Sequence, residues 1–398
     1  MITVVGSGIT GVTTAYYLAK AGYDVKIIDK ERYPAMMTSY ANGGQLSASN
    51  AETWNSLHNV WKGIKWMASH DAPLKINPRP SVEKYSWFAK FLANIPHREK
   101  NTIKTCEMAI EAHQLYKNIA DNEGIDFDKV EEGILHIYTN KKDLQHARET
   151  NNLYKSAGLE RREVSRSEVE ALEPALMNSK KTIIGGFYTA EDFTGDIHKF
   201  CANLLRHIQK KYAVQFEQRS ITEEEIKSIA ETGVVVVCAG TGSKFLARSF
   251  GDKLPIYPVK GYSITVHNPG NGPWTSLLDD ETKIVSSRLG NSRFRAAGTA
   301  EFNGYNRDIL QHRIQPLVNW TEELFPTMDT ETVVPWAGLR PMTPNMMPIV
   351  KQSKKNRNVY YNTGHGHLGW TLSAYTAIDI ANKILHDAGN KKYQQGKI

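Results

Sequence analysis

Ile2 to Val5 is an unbroken apolar run that stops at Gly6, the pattern of a strand covered on both faces. Val12 to Ala21 changes period and predicts a helix, ended by Gly22. Val25 to Ile28 is apolar again and closes on Asp29, so the chain begins with a complete β-turn-α-β unit. Beyond it the pattern is of another kind. Trp54, Leu57, Trp61 and Ile64 fall at helical spacing, as do Trp87, Phe88, Phe91 and Leu92 before Pro96. Met108, Ala112, Leu115 and Ile119 mark one stripe of a longer helix, and Gly133 to Thr139 reads as a strand. A helix capped by Asp196 carries Phe200, Leu204 and Ile208 on one face. Val234 to Ala239 has the uninterrupted apolar character of a central parallel strand. Residues 256 to 302 read as strands with polar turns, and a helix is expected over 307 to 325. Asn358 to Tyr361 is the last predicted strand and Trp370 to Leu385 the last helix, followed by a lysine-rich, frayed tail.

Parallel α/β pieces therefore stand at the start, middle and end, separated by two stretches of different character. The expected fold class is α/β plus α+β. A Rossmann-like nucleotide-binding domain is assembled from residues 1–50, 165–255 and 331–398, and a mixed-sheet substrate domain from 51–164 and 256–330. A length of 398 residues suits two such domains.

Composition narrows the partners. The net charge of +7 describes a lysine-rich surface or a mild attraction to an anionic one. The basic residues are scattered, so no nucleic-acid partner is expected. Cys106, Cys201 and Cys238 are far apart and form no C-x-x-C pair, which points away from a zinc site or a redox dithiol. The first predicted strand starts at residue 2, so no signal peptide is expected. No apolar run approaches the roughly 20 residues that span a bilayer. The expected location is cytoplasmic, at most peripheral on the inner face of the cell membrane.

The chemistry lies in two glycine turns of one form. Gly6, Ser7, Gly8, Ile9, Thr10 and Gly11 read G-x-G-x-x-G between a strand and a helix, with Asp29 ending the next strand. There Gly6 permits the turn, Gly8 lets a pyrophosphate approach the backbone, and Gly11 lets helix pack on strand. The helix N-terminus favours the phosphates, and Asp29 can accept hydrogen bonds from a ribose. Gly364, Gly366 and Gly369 repeat the letters near the end, but no strand follows their helix; Asp387 has the spacing of a ribose ligand yet lies in the tail. One cofactor gripped twice is therefore expected, with the second helix N-terminus facing an electron-rich ring such as a flavin. The cluster Asn42, Gly43, Gly44 and Gln45 would let backbone approach such a ring.

Five segments carry a family likeness: Gly6 to Gly11, Tyr40 to Leu46, Tyr257 to Ser263, Trp336 to Pro344, and Asn362 to Thr371. Gly63 to Met67 and Ala72 to Leu74 add to them. Together they resemble the bacterial D-amino-acid dehydrogenases of the small, flavin-carrying subunit type, related to glycine oxidase, sarcosine oxidase and D-amino-acid oxidase. The resemblance covers nearly the whole chain. It implies FAD, a flavin domain and a mixed-sheet substrate domain. It places Arg340 on the substrate carboxylate and Gly338, Gly364, Gly366, His367, Leu368, Gly369 and Thr371 at the flavin ring. Lys30, Leu46, Ile221, Ala239 and Gly240 are expected to border the cofactor as well. Tyr262 and His367 are candidate catalytic groups, with His365 and Lys260 as further modulators. Asn345, Met346 and Met347 depart from the family's turn, and His367 replaces a Thr. Relatives with cysteinyl flavin carry that cysteine in the C-terminal part; Cys238 is the last one here, so FAD is expected to be non-covalent.

The implied reaction is oxidative deamination of a small amino acid. A hydride passes from Cα to flavin N5, and the imino acid hydrolyses to a 2-oxo acid and ammonia. The expected electron acceptor is a quinone or another respiratory-chain component. Trp54, Trp61 and Trp66 with Lys62 and Lys65 can lie on a membrane, or the helix can pack over the flavin domain. The alternatives are a glycine-, sarcosine- or proline-type oxidase or dehydrogenase, and a flavin-dependent tRNA-modification oxidase.

Overall fold

The computed structural model describes residues 1–66, 73–387 and 389. Met67, Ala72 and the lysine-rich tail lie outside the described residues. Two large sheets organise the rest.

Among the described residues the first sheet has six strands, ordered Ile349–Gln352, Val359–Thr363, Val234–Val237, Ile2–Val5, Val25–Asp29 and Gln215–Gln218. All pair in parallel except Ile349–Gln352, which runs antiparallel at the edge. The apolar runs are continuous because both faces are covered. Val4 and Val236 face the helices Ile9–Lys20, Arg98–Glu123, Ile197–Tyr212 and Gly369–Asp387. Val5, Val235 and Val237 face Ile226, Ala230 and Ala247 on the other side. The Ile197–Tyr212 helix starts where the pattern predicts, with the Asp196 side chain accepting from the Lys199 amide at 3.0 Å.

The second sheet is mixed and, among the described residues, has nine strands. Its path is Val333–Met342, Tyr257–His267, Arg293–Phe302, Ile284–Leu289, Ser276–Asp279, Ile134–Tyr138, Gly185–Thr189 and Arg162–Ser165; Leu74–Ile76 pairs off it with Arg293–Phe302. One face buries Tyr262, Ile264, Phe294 and Ala296 against Ile314, Leu317 and Val318 of the helix Gln311–Leu324. That helix starts later than residue 307, because Asn306 and Asp308 are drawn onto the buried Lys260 Nζ at 2.8 and 3.1 Å.

Three strands fall outside the boundaries expected from sequence. Arg162–Ser165 and Gly185–Thr189 extend the mixed sheet beyond residue 164, and Val333–Met342 belongs to it rather than to the first sheet. The reason is pairing: Val333–Met342 lies along Tyr257–His267 from Val266↔Val333 to Tyr257↔Met342. The chain then crosses back, and one isolated bridge, Met342↔His365, ties the mixed sheet to the turn that opens the last helix. Trp54 stands outside the helix Leu57–Trp66 predicted to include it, and Asp387 ends the last helix by accepting from the Tyr360 hydroxyl at 2.6 Å.

Candidate active site

The first glycine turn is built by contact. Gly6 has φ +105°, and a Cβ there would meet the Cys238 carbonyl oxygen at 2.7 Å. A Cβ on Gly11 would fall 1.8 Å from the Gly6 oxygen, so strand and helix pack only around glycine. Gly8 differs: the nearest atom to an added Cβ is Ser39 Oγ at 3.5 Å, and the helix begins there without a side-chain cap. The Ile9 amide donates to Ser39 Oγ at 3.3 Å and the Gly11 and Val12 amides to the Gly8 carbonyl, while Gly8 and Thr10 border a cavity of about 1000 Å³.

That cavity lies between the two sheets. Gly6, Gly8, Ile9, Thr10, Asp29, Lys30, Asn42, Gly43, Gly44, Gln45, Ile221, Ala239 and Gly240 border it. Gly364, Gly366, His367, Leu368, Gly369 and Thr371 line it too. Gly364 and Gly366 have φ +76° and +59°. Ser7, Gly11 and Leu46 are not on its wall. Gly11 is spent on packing, Leu46 points into the core, and the Ser7 hydroxyl donates to Asp29 at 2.7 Å. Asp29 also accepts from the Ser7 and Glu31 amides, at 2.6 and 2.9 Å, so its carboxylate first holds the turn that a ribose would approach.

The mixed sheet supplies the facing wall. Trp336, Gly338 and Arg340 alternate along one strand and join Gly261, Thr299, Ala297 and Val285 on the cavity side. Arg340 Nη1 donates to the Thr299 carbonyl at 2.8 Å, and a Cβ on Gly261 would collide with its guanidinium at 2.4 Å. No carboxylate among the described residues forms an ion pair with Arg340, and burial alone pushes its pKa down to about 10. A buried guanidinium without a counter-charge is costly unless an anion completes it.

His367 lies beside this cation and stacks on Trp54, with ring centroids 4.7 Å apart. Both of its ring nitrogens are buried without a hydrogen-bond partner. Burial, then the Arg340 charge, pushes its pKa to about 3, with the Asn50 backbone opposing. His365 is buried and bonds Thr376 Oγ1 at 2.8 Å. Tyr262 also borders the cavity, but strand alternation turns its ring, and the Lys260 side chain, away from Arg340 toward the second core. Its hydroxyl donates to Glu301 at 2.8 Å, and Lys260 pairs with the same carboxylate at 3.2 Å.

Sequence reading missed a polar group on the same wall: buried Ser49 and His136, half-buried Asp280 and exposed Lys283, with buried Asp192 behind them. Ser49 comes from a 3-10 turn, His136 from a strand, Asp192 from a loop and Asp280 with Lys283 from one turn, and they share no motif.

Four buried imidazoles sit below their ordinary 6.5: His113, His365 and His367 near 3 and His136 near 4, each chiefly through burial. The unfolded chain binds their protons first, so stability is full above about pH 6.5 and falls below it. Each contributes about 1.4 kcal/mol per pH unit. Asp192, raised by burial from 3.8 to about 6, opposes one of the four over that interval. Thermal melts of the cofactor-free protein should therefore drop steeply between about pH 6.5 and 4; a flat profile would contradict the neutral state assigned to these rings.

Known proteins resemble this chain over nearly its whole length. The family described as "FAD dependent oxidoreductase" matches residues 1–383. A protein named D-amino acid dehydrogenase 3 from Mesorhizobium japonicum is 52% identical over 97% of each chain. A D-amino acid dehydrogenase from Dechloromonas aromatica is 37% identical over 96% of each. The solved glycine oxidase from Geobacillus kaustophilus superposes with a TM-score of 0.74 at 18% identity, covering 99% of this chain and 96% of that one. L-proline dehydrogenase from P. horikoshii gives 0.73 at 14% identity, covering 98% and 94%. These last two likenesses concern the fold. The uncapped helix at Gly8, the open backbone and the cavity's size suit a dinucleotide.

Proposed function

This chain belongs to the FAD-dependent oxidoreductase family, and from that premise we propose that it deaminates small D-amino acids oxidatively, giving 2-oxo acids and ammonia. The observation that carries the substrate class is Arg340, a half-buried cation facing the cavity that, among the described residues, has one carbonyl partner and no acid. A planar guanidinium takes a carboxylate in two parallel hydrogen bonds and so fixes which face of Cα is presented.

Bound FAD supplies the acceptor for the hydride that leaves Cα. The residues do the rest. The turn from Gly6 to Gly11 holds the pyrophosphate, with Asp29 and Lys30 toward the ribose. Asn42 to Gln45, Ala239 and Gly240 bring backbone close, and Gly364 to Gly369 present a helix N-terminus to the flavin. Trp54 and His367 wall off the substrate and exclude water, which strengthens the Arg340 contact. His367 is neutral, so it adds no charge to repel a substrate ammonium. The amine must lose a proton before its lone pair can drive hydride loss, and desolvation in this site favours that loss. FAD is held non-covalently: Cys238 on the cavity wall is buried, its thiol pushed up to about 12 and turned to Thr14.

Anaerobic mixing with D- and L-amino acids, glycine, sarcosine and proline tests this reading. D-amino acids should bleach the yellow flavin band, and peroxide should be scarce in air if, as proposed, the acceptor is a quinone or another respiratory-chain component. A protein that takes up no FAD, or is bleached only by L-amino acids, would refute it.

No helix among the described residues is long and apolar enough to cross a membrane. Membrane contact rests instead on the helix Leu57–Trp66, where Leu57, Trp61 and Ile64 are exposed on one side and only Gly63 is buried. With Lys65 in its last turn, it suits an anionic lipid surface, where a quinone would collect electrons. Trp61→Glu should reduce co-sedimentation with anionic vesicles several-fold without changing anaerobic bleaching; unchanged co-sedimentation would remove this surface from consideration.

A further inference from the structure

Asp192 is wholly buried and accepts from the Ala48 amide at 2.8 Å, the Ser49 amide at 3.1 Å, Ser49 Oγ at 2.6 Å and Ser47 Oγ at 3.2 Å. Ser49 Oγ also lies 2.9 Å from His136 Nε2. The other ring nitrogen, Nδ1, lies 3.3 Å from Asp280 Oδ2. Asp280 is held by the Tyr138 hydroxyl at 2.5 Å and by Lys283 Nζ at 2.7 Å, and both Asp280 and Lys283 border the cavity. An unbroken line of hydrogen bonds thus joins the cavity to a buried acid that the reaction described above leaves unused.

The line has two protonation patterns, one open at the His136–Asp280 link and one with a hydrogen in every link. With Asp192 ionised, the Ser49 hydroxyl donates to it and His136 Nε2–H donates to Ser49, leaving Nδ1 without a proton toward Asp280. With one proton added, Asp192 donates to Ser49, Ser49 donates to Nε2, and Nδ1–H donates to Asp280. We propose that Ser49, His136 and Asp280 form a proton relay that stores on Asp192 the proton released by the substrate ammonium. This rests on the amino-acid reading above. The proton enters at Asp280, each link shifts by one hydrogen, the amine keeps its lone pair, and no electron moves through the relay. Ser49, His136 and Asp192 are positioning and proton-holding residues that need not touch the substrate.

The surroundings set the working range. From the helix Arg98–Glu123, His113 Nδ1 faces Asp192 at 3.7 Å and Cys106 acts on it electrostatically, with Lys117 acting on His113. His113 is held neutral, so Asp192 has no cation against it, and burial raises its pKa to about 6. At the cavity end, Arg161, Tyr138 and Lys283 surround His136 and Asp280, with Glu52 and Asp143 acting on Lys283.

Nitrogen NMR of histidine-labelled, FAD-loaded protein without substrate tests the relay. His136 should change from the Nε2–H to the Nδ1–H tautomer as pH falls through about 6, and Asp192→Asn should abolish the change. Ser49→Ala keeps both backbone bonds to Asp192. It should bind FAD normally, yet bleach about a hundredfold more slowly with substrate and without an inflection near pH 6. One tautomer throughout about pH 5 to 8, or bleaching at the wild-type rate in Ser49→Ala, would overturn the relay alone. A tautomer switch in a protein that no amino acid bleaches would sink the substrate reading and the relay with it.

Discussion

Arg340→Ala should retain its flavin and lose its substrate. The guanidinium is half-buried, its one hydrogen bond among the described residues is to the Thr299 carbonyl, and the carboxylate of a substrate would be its counter-charge. Removing one partner of a buried, charge-assisted pair costs about 3–5 kcal/mol, or roughly 10²–10⁴-fold in kcat/KM. Arg340→Lys should recover only a small part, because an ammonium is a point charge and cannot fix both carboxylate oxygens. Stability should move the other way. Without substrate the cation is uncompensated, so Arg340→Met should melt at or above the wild-type temperature. Stopped-flow bleaching, flavin content and a melt separate these effects. Wild-type bleaching by Arg340→Ala would remove the carboxylate assignment.

Gly11→Ala should have the other large effect, on folding itself. Its methyl group would lie 1.8 Å from the Gly6 carbonyl oxygen, which is backbone and cannot rotate aside. Separating helix and strand enough to relieve that overlap should cost more than about 3 kcal/mol, with loss of FAD. Gly8→Ala is the informative contrast. An added Cβ there meets nothing closer than 3.5 Å, so the protein should fold and melt normally. It should still bind FAD weakly, because the methyl occupies the approach to the helix N-terminus. A denaturation series with flavin titration distinguishes the two; equal melting of Gly11→Ala and wild type would contradict the packing described.

Much of the first sheet was legible because its strands are short apolar runs next to glycine turns, a local signal. The second sheet was less so. Ile134–Tyr138 pairs with Ser276–Asp279 across a long stretch of intervening chain, and no local pattern encodes that. The same limit misassigned Val333–Met342, whose partner decides its sheet. Orientation failed at Tyr262 for a related reason: Tyr257–His267 is buried on both faces nearly to its end, so its sequence does not announce which side meets the cavity. Gly261, the neighbour, marks that side through the space it leaves for Arg340. Arg340 was singled out by its motif and lies on the cavity wall. Asp192, Ser49, His136 and Asp280 were invisible, since a line of hydrogen bonds drawn from four segments exists only after folding.

The bridge between Met342 and His365 bears on how such an enzyme can open. Arg340 and the Gly364–Gly369 turn belong to different sheets, yet they are close along the chain and stitched together at that point. A breathing motion that parts the two sheets would widen the entrance while the clamp and the turn travel together. Access and alignment are thereby decoupled: solvent, substrate and product can exchange without shifting the reacting carbon from its target.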